Sequence, residues 1–377
     1  MLGRIAFVVS DDRSFAWSSL PLVRAARELG LDVDVVAPAG EHRAAIEAAG
    51  ARVIPLQAHS RSLNPMTAGY AAGQLAAVLK RTKPDLVHAI GLGPCLIGGA
   101  ACAMAGIDRR VYALGPLGSL AIRSDLAGRA SRRAIGFLLR GPLRSRHTRY
   151  LVANTQDALL LGLDPARSDE VVEMRSAGID PERLRPLPMP ALPSPLRVAI
   201  AAPMVWAKGI DVAVEALRLV RARGQDVELS LYDTPDGPRG RPFGPETLAR
   251  WGAQAGIARR GPAPDAAELW AGHHAACLPS RGGEGLPQVL LEAAACGRPI
   301  VATDVPGCRG FVTDGAEGYV VPPDDPAALA EALGRLAADP VLLPRMGAAA
   351  RARVLHGFTE RDAMDAAQSL YRSMLAR

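Results

Sequence analysis

The chain has 377 residues, of which 49% are hydrophobic and 22% charged, and a formal net charge of +6. At roughly 150 residues per domain this length predicts two domains, and the balanced composition excludes a disordered protein and a coiled coil. The five cysteines form no Cys-x-x-Cys pair and are expected to be reduced thiols in a cytoplasm.

Short apolar runs alternate with helical patterns through the first half of the chain. The predicted strands and helices are, in order, Ile5–Val9, Leu20–Leu29, Val33–Val36, Glu41–Ala49, Ala71–Lys80 and Leu86–Ile90. This alternation is typical of βαβ units on a parallel sheet. The uncharged run over residues 89–107 holds five glycines and Pro94, so it predicts a loop and a buried helix rather than a membrane span.

Residues 186–195 are proline-rich and are interpreted as a linker. After them the alternation restarts with Leu196–Ala202, Ile210–Arg221, Val227–Tyr232, Ala275–Leu278, Pro287–Cys296, Ile300–Ala302, Pro326–Leu355 and Thr359–Leu375. These patterns predict an α/β protein with Rossmann-like domains over 1–185 and 196–357. A last helix over 358–377 is expected to pack back towards the first domain. Two doubly wound parallel sheets are expected to face a cleft, with ligands at the carboxyl ends of the strands.

Positive charge is concentrated between residues 122 and 150, where eight arginines stand against one acid, Asp125. Phe137 and Leu138 are among the apolar residues interleaved with them. This pattern is typical of a helix on an anionic membrane surface, and a solvated helix face or a groove for a lipid diphosphate fits it too. Nucleic acid is disfavoured because only 4% of residues are aromatic. The candidate membrane or acceptor residues are Arg129, Arg132, Arg133, Arg140 and Arg144.

A glycine-rich loop joins a buried strand that ends at Pro279 to a helix expected to begin at Pro287 and stop at Gly297. Its glycines allow the backbone to approach a ligand closely, and the free N–H groups of the helix start favour an anion such as a phosphate. Glu284 precedes this helix and Glu292 lies inside it, so one carboxylate can serve each end of an extended nucleoside diphosphate.

The chain resembles glycosyltransferase family 4 in the Glu284–Glu292 spacing and in the motifs Cys296-Gly-Arg-Pro-Ile-Val-Ala-Thr-Asp, Gly318-Tyr-Val-Val-Pro-Pro and Pro84-Asp-Leu-Val-His88. Members of this family are retaining enzymes of the GT-B fold, and the likeness is greatest to bacterial enzymes that build capsule, O-antigen or lipid-linked oligosaccharides. The resemblance implies transfer of a sugar from a nucleotide sugar, UDP-linked, to a polyprenyl-diphosphate-linked acceptor on the acceptor-side N-terminal domain. It also implies a peripheral location on the cytoplasmic face of the inner membrane and no metal or other cofactor.

The same resemblance implies roles for single residues. Glu284 and His88 would face the donor sugar, and Lys208 would neutralise the leaving diphosphate, which makes these three the catalytic candidates. Glu292 would hold the ribose of the donor. The other donor-binding candidates are Gly285, Leu286, Pro287, Gly209, Arg281 and Arg309.

The sequence departs from the family pattern at Pro203, where an arginine is usual, and at Gly310, where an acid is common. We hypothesise that Arg281 or Arg309 binds the diphosphate instead. The pair Asp324-Asp325 is expected to lie far from these motifs, and no His-Glu-x-x-His or clustered Cys/His set suggests a metal. Two alternatives stay open, which are a non-catalytic GT-B partner protein and a nucleotide-sugar epimerase of the same architecture.

Overall fold

The computed structural model describes residues 3–56, 65–167, 169–174, 178–191, 195–234, 240–283 and 285–376. The contacts between residues divide the chain into two compact units. The first unit comprises Met1–Leu117, Arg123–Ala177 and Glu360–Arg377, and the second comprises Gly118–Ile122 and Gly178–Thr359.

The first unit is built on a parallel sheet with the strand order β3-β2-β1-β4-β5-β6-β7 among the described residues. The strands are β1 Arg4–Val9, β2 Asp32–Pro38, β3 Arg52–Leu56, β4 Leu86–Ile90, β5 Arg109–Ala113, β6 His147–Val152 and β7 Val171–Glu173. The order reverses between β1 and β4, as in doubly wound folds. β1, β2 and β4 confirm the three strands predicted for this half.

Helices connect these strands in the first half of the chain. They are α1 Asp12–Ser18, α2 Leu20–Glu28, α3 Arg43–Ala48, α4 Pro65–Thr82, α5 Leu92–Ala105, α6 Ser119–Ile122, α7 Leu126–Arg140 and α8 Thr155–Leu160. α5 confirms the buried helix predicted within residues 89–107, and it follows a turn at Gly91. None of the helices in the described part of the chain is long and apolar enough to cross a membrane.

The second unit has a parallel sheet with the strand order β10-β9-β8-β11-β12-β13 in the described ranges. Its strands are β8 Leu196–Ala201, β9 Val227–Asp233, β10 Ile257–Pro262, β11 Ala275–Leu278, β12 Ile300–Thr303 and β13 Gly318–Val321. Its main helices are α9 Ile210–Ala222, α10 Pro245–Gly252, α11 Ala266–Ala271, α12 Gln288–Ala295, α13 Pro306–Arg309, α14 Pro326–Ala338 and α15 Leu342–Leu355. The strand order again reverses, here between β8 and β11.

The helical pattern predicted over Pro326–Leu355 forms two separate helices, α14 and α15. Asp339 has φ −126° and ψ 90°, which is extended backbone. The proline that follows, Pro340, disfavours the helical conformation for the residue before it. The two helices both pack on the core of the second unit through Leu333 and Met346.

The last helix, α16 Glu360–Leu375, belongs to the first unit and packs against α2. Met364, Tyr371 and Met374 are buried in the same core as Phe7 of β1. The segment before β8 lies on the second unit instead. There the fully buried Arg298 donates to the carbonyl oxygen of Pro188 at 2.7 Å.

Candidate active site

The glycine-rich loop follows β11 at the carboxyl end of the second sheet. Pro279 is buried, and Gly283 has a φ of 71°, which favours glycine. A Cβ on Gly283 would lie 2.2 Å from the carbonyl oxygen of Gly118, so only glycine permits this close approach. Glu284, the predicted ligand of the donor sugar, lies outside the described residues.

The start of α12 presents N–H donors that have no partner among the described residues. The helix begins at Gln288, one residue later than predicted, because Pro287 has extended backbone angles of −70° and 124°. The N–H groups of Gly285, Leu286, Gln288 and Val289 have no acceptor in the part of the chain that the structure describes. Together with the dipole of α12 these donors form a site suited to an anion.

Glu292 lies four residues into α12 and is half-buried. Burial and, to a smaller extent, the nearby Asp265 carboxylate raise the pKa of its carboxyl, Arg183 opposes the increase, and the resulting pKa is about 7. No donor among the described residues binds this carboxyl. An ionised carboxylate in this position can accept hydrogen bonds from the two hydroxyls of a ribose.

Lys208 ends a short 3-10 turn, Trp206–Lys208, which follows β8. Gly209 comes next with a φ of 63°, and a Cβ there would lie 1.9 Å from the carbonyl oxygen of Pro279. Glycine at this position therefore lets the turn touch the loop that leads to α12. Because β8 and β11 are neighbours, the structure brings Lys208 and the glycine-rich loop to one edge of the second sheet.

Arg281 is surrounded by acids. Its Nη1 and Nη2 atoms donate to the two carboxylate oxygens of Asp211, both at 2.8 Å, and its Nε donates to Asp324 at 2.6 Å. The side chain is 7% exposed, and its guanidinium carbon lies 4.3 Å from the centre of the Trp206 ring. We therefore correct the expectation that Arg281 binds the diphosphate, since two carboxylates already balance its charge. Asp324, expected far from these motifs, is in direct contact with them.

Arg309 ends α13 and is 60% exposed. Its Nε donates to the Asp304 carboxylate at 2.6 Å. This exposed ion pair leaves part of the guanidinium accessible, so the predicted contact of Arg309 with a diphosphate stays a prediction. Pro203 precedes the Lys208 turn, and its carbonyl accepts the Val205 N–H at 2.8 Å.

His88 lies within β4 and has no exposed surface. Its Nδ1 is 2.9 Å from the hydroxyl of Tyr371, and its ring centre is 5.3 Å from that of Phe7. Burial lowers the pKa of His88 to about 3, so the ring is neutral at physiological pH. These contacts correct the expectation that His88 faces the donor sugar, because a side chain without accessible surface presents no atom to a ligand.

The apolar residues of the basic segment divide between two sides of α7. Ile135 and Leu139 are buried in the first unit. Leu126 and Phe137 instead point outward, with 78% and 67% of their surfaces exposed. The predicted apolar face is thus partly core, and the outward side carries large apolar groups beside arginines.

The arginines of the segment differ in their surroundings. Arg129 and Arg133 are exposed on α7. Arg132 and Arg140 donate to the backbone carbonyls of Arg123 and Gly136, at 2.6 Å and 3.1 Å. Arg144 lies beyond α7 and pairs with Glu170 at 2.5 Å. The outward face of α7 therefore includes Arg129 and Arg133, whereas Arg144 is part of a surface ion pair.

Sequence reasoning missed the partners of Arg281. Asp211 and Asp324 lie 70 and 43 residues away from it along the chain, the first in the first turn of α9 and the second in the loop after β13. A local pattern cannot reveal such a contact. One signal was available in the sequence. Asp211 lies in the first turn of the helix that directly follows Gly209, where the helix dipole stabilises a carboxylate.

Comparison with known proteins identifies the family. Residues 4–144 match a model described as glycosyl transferase 4-like, and residues 195–339 match the model for glycosyl transferases group 1. The two matches are consecutive and together span about three quarters of the chain. The chain belongs to the family 4 glycosyltransferases.

Two curated glycosyltransferases show the range of the similarity. A Campylobacter jejuni N,N'-diacetylbacillosaminyl-diphospho-undecaprenol alpha-1,3-N-acetylgalactosaminyltransferase is 23% identical over 84% of this chain and 84% of its own length. A Mycobacterium leprae phosphatidyl-myo-inositol mannosyltransferase is 35% identical, over 38% of this chain. That second match spans only 37% of the mycobacterial protein.

Solved structures confirm the GT-B fold. Anabaena HepE in complex with UDP-glucose has a TM-score of 0.77 at 16% identity, covering 98% of this chain and all of that one. Sucrose-phosphate synthase from Thermosynechococcus elongatus also has a TM-score of 0.77, at 19% identity, covering 99% of both chains. The two parallel sheets of this glycosyltransferase agree with that architecture.

Proposed function

We propose that this family 4 glycosyltransferase transfers a sugar from a UDP-linked donor to a saccharide carried on a lipid diphosphate, with retention of anomeric configuration. The start of α12 is the observation that carries the proposal. The N–H groups there, which have no acceptor in the described part of the chain, suit a diphosphate, and Glu292, one turn deeper, suits a ribose. The UDP-glucose complex of HepE and the diphospho-undecaprenol name of the Campylobacter relative support the choice of donor and acceptor.

The proposed reaction breaks the bond between the anomeric carbon and the β-phosphate oxygen, so negative charge builds on the departing UDP. This charge is stabilised by the N–H groups of Gly285 and Leu286 and by the dipole of α12. The Lys208 ammonium stabilises it further. The acceptor hydroxyl bonds to the anomeric carbon, and its proton passes to the departing diphosphate. Glu292 fixes the nucleoside through the ribose, which orients the bond that breaks.

UDP release from a panel of UDP-sugars, with and without polyprenyl-diphosphate-linked saccharides, tests this function. We expect an acceptor of this class to accelerate UDP release, and the product to retain the donor's anomeric configuration by NMR. Excess EDTA should change the rate by less than about twofold, because fixed protein donors carry the charge stabilisation. Absence of UDP-sugar binding by calorimetry would contradict the proposal.

A non-catalytic partner role is a second candidate, and one observation favours it. The family arginine is replaced by Pro203, and Arg281 is held by two carboxylates and does not replace it. Fewer cations then oppose the charge of the leaving group. If the protein co-purifies with an active homologue and neither binds nor turns over any UDP-sugar, this role replaces the first.

We also propose that the outward face of α7 binds an anionic membrane, so that the protein is peripheral. Phe137 and Leu126 are large exposed apolar groups on this helix, and Arg129 and Arg133 are exposed beside them. Such binding has two requirements. Apolar groups enter the membrane–water interface, and arginines contact the anionic headgroups. An acceptor with a lipid diphosphate would be presented at the same surface.

A further inference from the structure

Arg281 joins three loops at the carboxyl edge of the second sheet. Its backbone N–H donates to the carbonyl oxygen of Ala207 at 2.9 Å, and its Nη1 donates to that of Trp206 at 2.6 Å. Its remaining bonds reach Asp211 at the start of α9 and Asp324 beyond β13. One side chain thus connects the loops that follow β8, β11 and β13.

The charges in this cluster argue against direct contact of Arg281 with a phosphate. One guanidinium faces two carboxylates, so the cluster carries a formal charge of −1. Four of the five guanidinium N–H donors already have acceptors at 2.6 Å to 2.8 Å. A diphosphate would have to displace a bidentate ion pair to reach this group.

The same contacts restrain the turn that carries Lys208. The Arg281 guanidinium donates a hydrogen bond to the Trp206 carbonyl and lies over the Trp206 ring. The Arg281 backbone N–H donates to the Ala207 carbonyl. On the other side of Lys208, Gly209 touches the Pro279 carbonyl. The Lys208 backbone is therefore fixed, from both sides, to the loop that leads to the N–H groups at the start of α12.

We propose that Arg281 is a positioning residue, which holds the Lys208 turn against the glycine-rich loop so that both meet the same diphosphate. The proposal rests on the proposed function for the role of Lys208. The cation and the backbone donors are then already fixed relative to each other before the ligand binds. Binding therefore does not lose the conformational entropy of ordering them. Arg281 then contributes to nucleotide affinity through Lys208, without touching the nucleotide.

Hydrogen exchange of the ligand-free protein tests the restraint itself. In Arg281→Ala we expect faster exchange of the amides of Lys208 and Gly209, which donate to Val205 and Trp206 at 3.0 Å and 3.1 Å. Arg335→Ala is the matched control, since Arg335 also pairs with an acid, Glu331, and lies over an aromatic ring. Unchanged exchange of the turn in Arg281→Ala would overturn the proposal.

A double-mutant cycle tests whether Arg281 acts through Lys208. We expect Arg281→Ala to weaken UDP binding about tenfold in the wild-type background and less than about twofold in the Lys208→Met background. Equal losses in both backgrounds would overturn the proposal, because a residue that touches UDP itself acts independently of Lys208. Arg281→Lys, which keeps the charge but not the paired hydrogen bonds, should behave like Arg281→Ala and replaces it if that variant does not fold.

The hydrogen-exchange experiment and the double-mutant cycle distinguish a failure of this inference from a failure of the proposed function. If the wild-type protein does not bind UDP, the proposed function fails and Arg281 has no nucleotide to position, so the inference fails with it even if the exchange result stands. If UDP binds the wild type but the cycle shows no coupling, only the inference fails.

Discussion

At the scale of single residues, Glu292 provides a charge that changes near neutral pH. The pKa of its carboxyl is about 7, so the group is largely ionised at pH 8 and largely protonated at pH 6. In the proposed donor site the ionised form accepts both ribose hydroxyls, and protonation removes part of that capacity. Bound ribose should therefore lower the pKa, and proton uptake should compete with the nucleotide.

We predict that the Kd for UDP rises about tenfold from pH 8 to pH 6 in the wild-type protein. Calorimetric titrations at several pH values measure it. Glu292→Gln is the control, since any remaining pH dependence in that variant comes from the phosphates of UDP. Parallel pH profiles for the two proteins would contradict a carboxylate contact with the ribose.

Gly209 is required both for its backbone angle and for its space. We predict that Gly209→Ala lowers the free energy of unfolding by about 2 kcal/mol more than Gly224→Ala, as measured by urea denaturation. Both glycines have positive φ, of 63° and 79°, but a Cβ at Gly224 meets nothing within 4 Å. Equal destabilisation by the two substitutions would show that the contact with Pro279 is unimportant.

Single residues also show where sequence reasoning reached its limit. The Glu292 position followed from spacing along one helix, which is local information. His88 could not be oriented in the same way, because β4 is buried on both faces and its alternation of residues does not distinguish them. The role of Arg281 depended on two acids that are distant in sequence, one in α9 and one in the loop after β13, which only the tertiary structure brings together.

At the scale of elements, α7 is the surface with the clearest testable consequence. We predict that Phe137→Ser reduces binding to anionic vesicles about tenfold, because transfer of the ring into the interface is lost. Leu355→Ser is the control, since Leu355 is also an exposed apolar residue, 46% accessible, but lies on α15 of the second unit.

The arginines of α7 give an independent check on the same surface. Replacement of Arg129 and Arg133 by glutamine should weaken vesicle binding at low salt and have little effect at high salt, where charges are screened. Sedimentation with vesicles of phosphatidylglycerol and phosphatidylcholine measures this. Identical sedimentation of the wild type, the arginine variant and Phe137→Ser would exclude α7 as the membrane contact.

Element types were predictable because periodicity and proline or glycine signals are local. β1, β2, β4, β8, β9, β11 and β12 were expected, and the structure contains them with ends shifted by one or two residues at most. The break between α14 and α15 was missed although Pro340 marked it, because the apolar pattern continues through both helices. Strands such as β7, with three residues, are too short to show a period.

At the scale of the whole molecule, two parallel sheets with reversed strand order place loops from neighbouring strands at one edge. In the second unit this brings together the Lys208 turn after β8 and the glycine-rich loop after β11. The fold therefore explains why residues far apart in sequence form one candidate donor site.

The most direct test of this account is a crystal structure of the protein with UDP. We predict that the diphosphate lies against the N–H groups of Gly285 and Leu286 at the start of α12, and that a Glu292 oxygen lies within hydrogen-bonding distance of a ribose hydroxyl. Density for UDP elsewhere in the chain, or a ribose that does not contact Glu292, would contradict it.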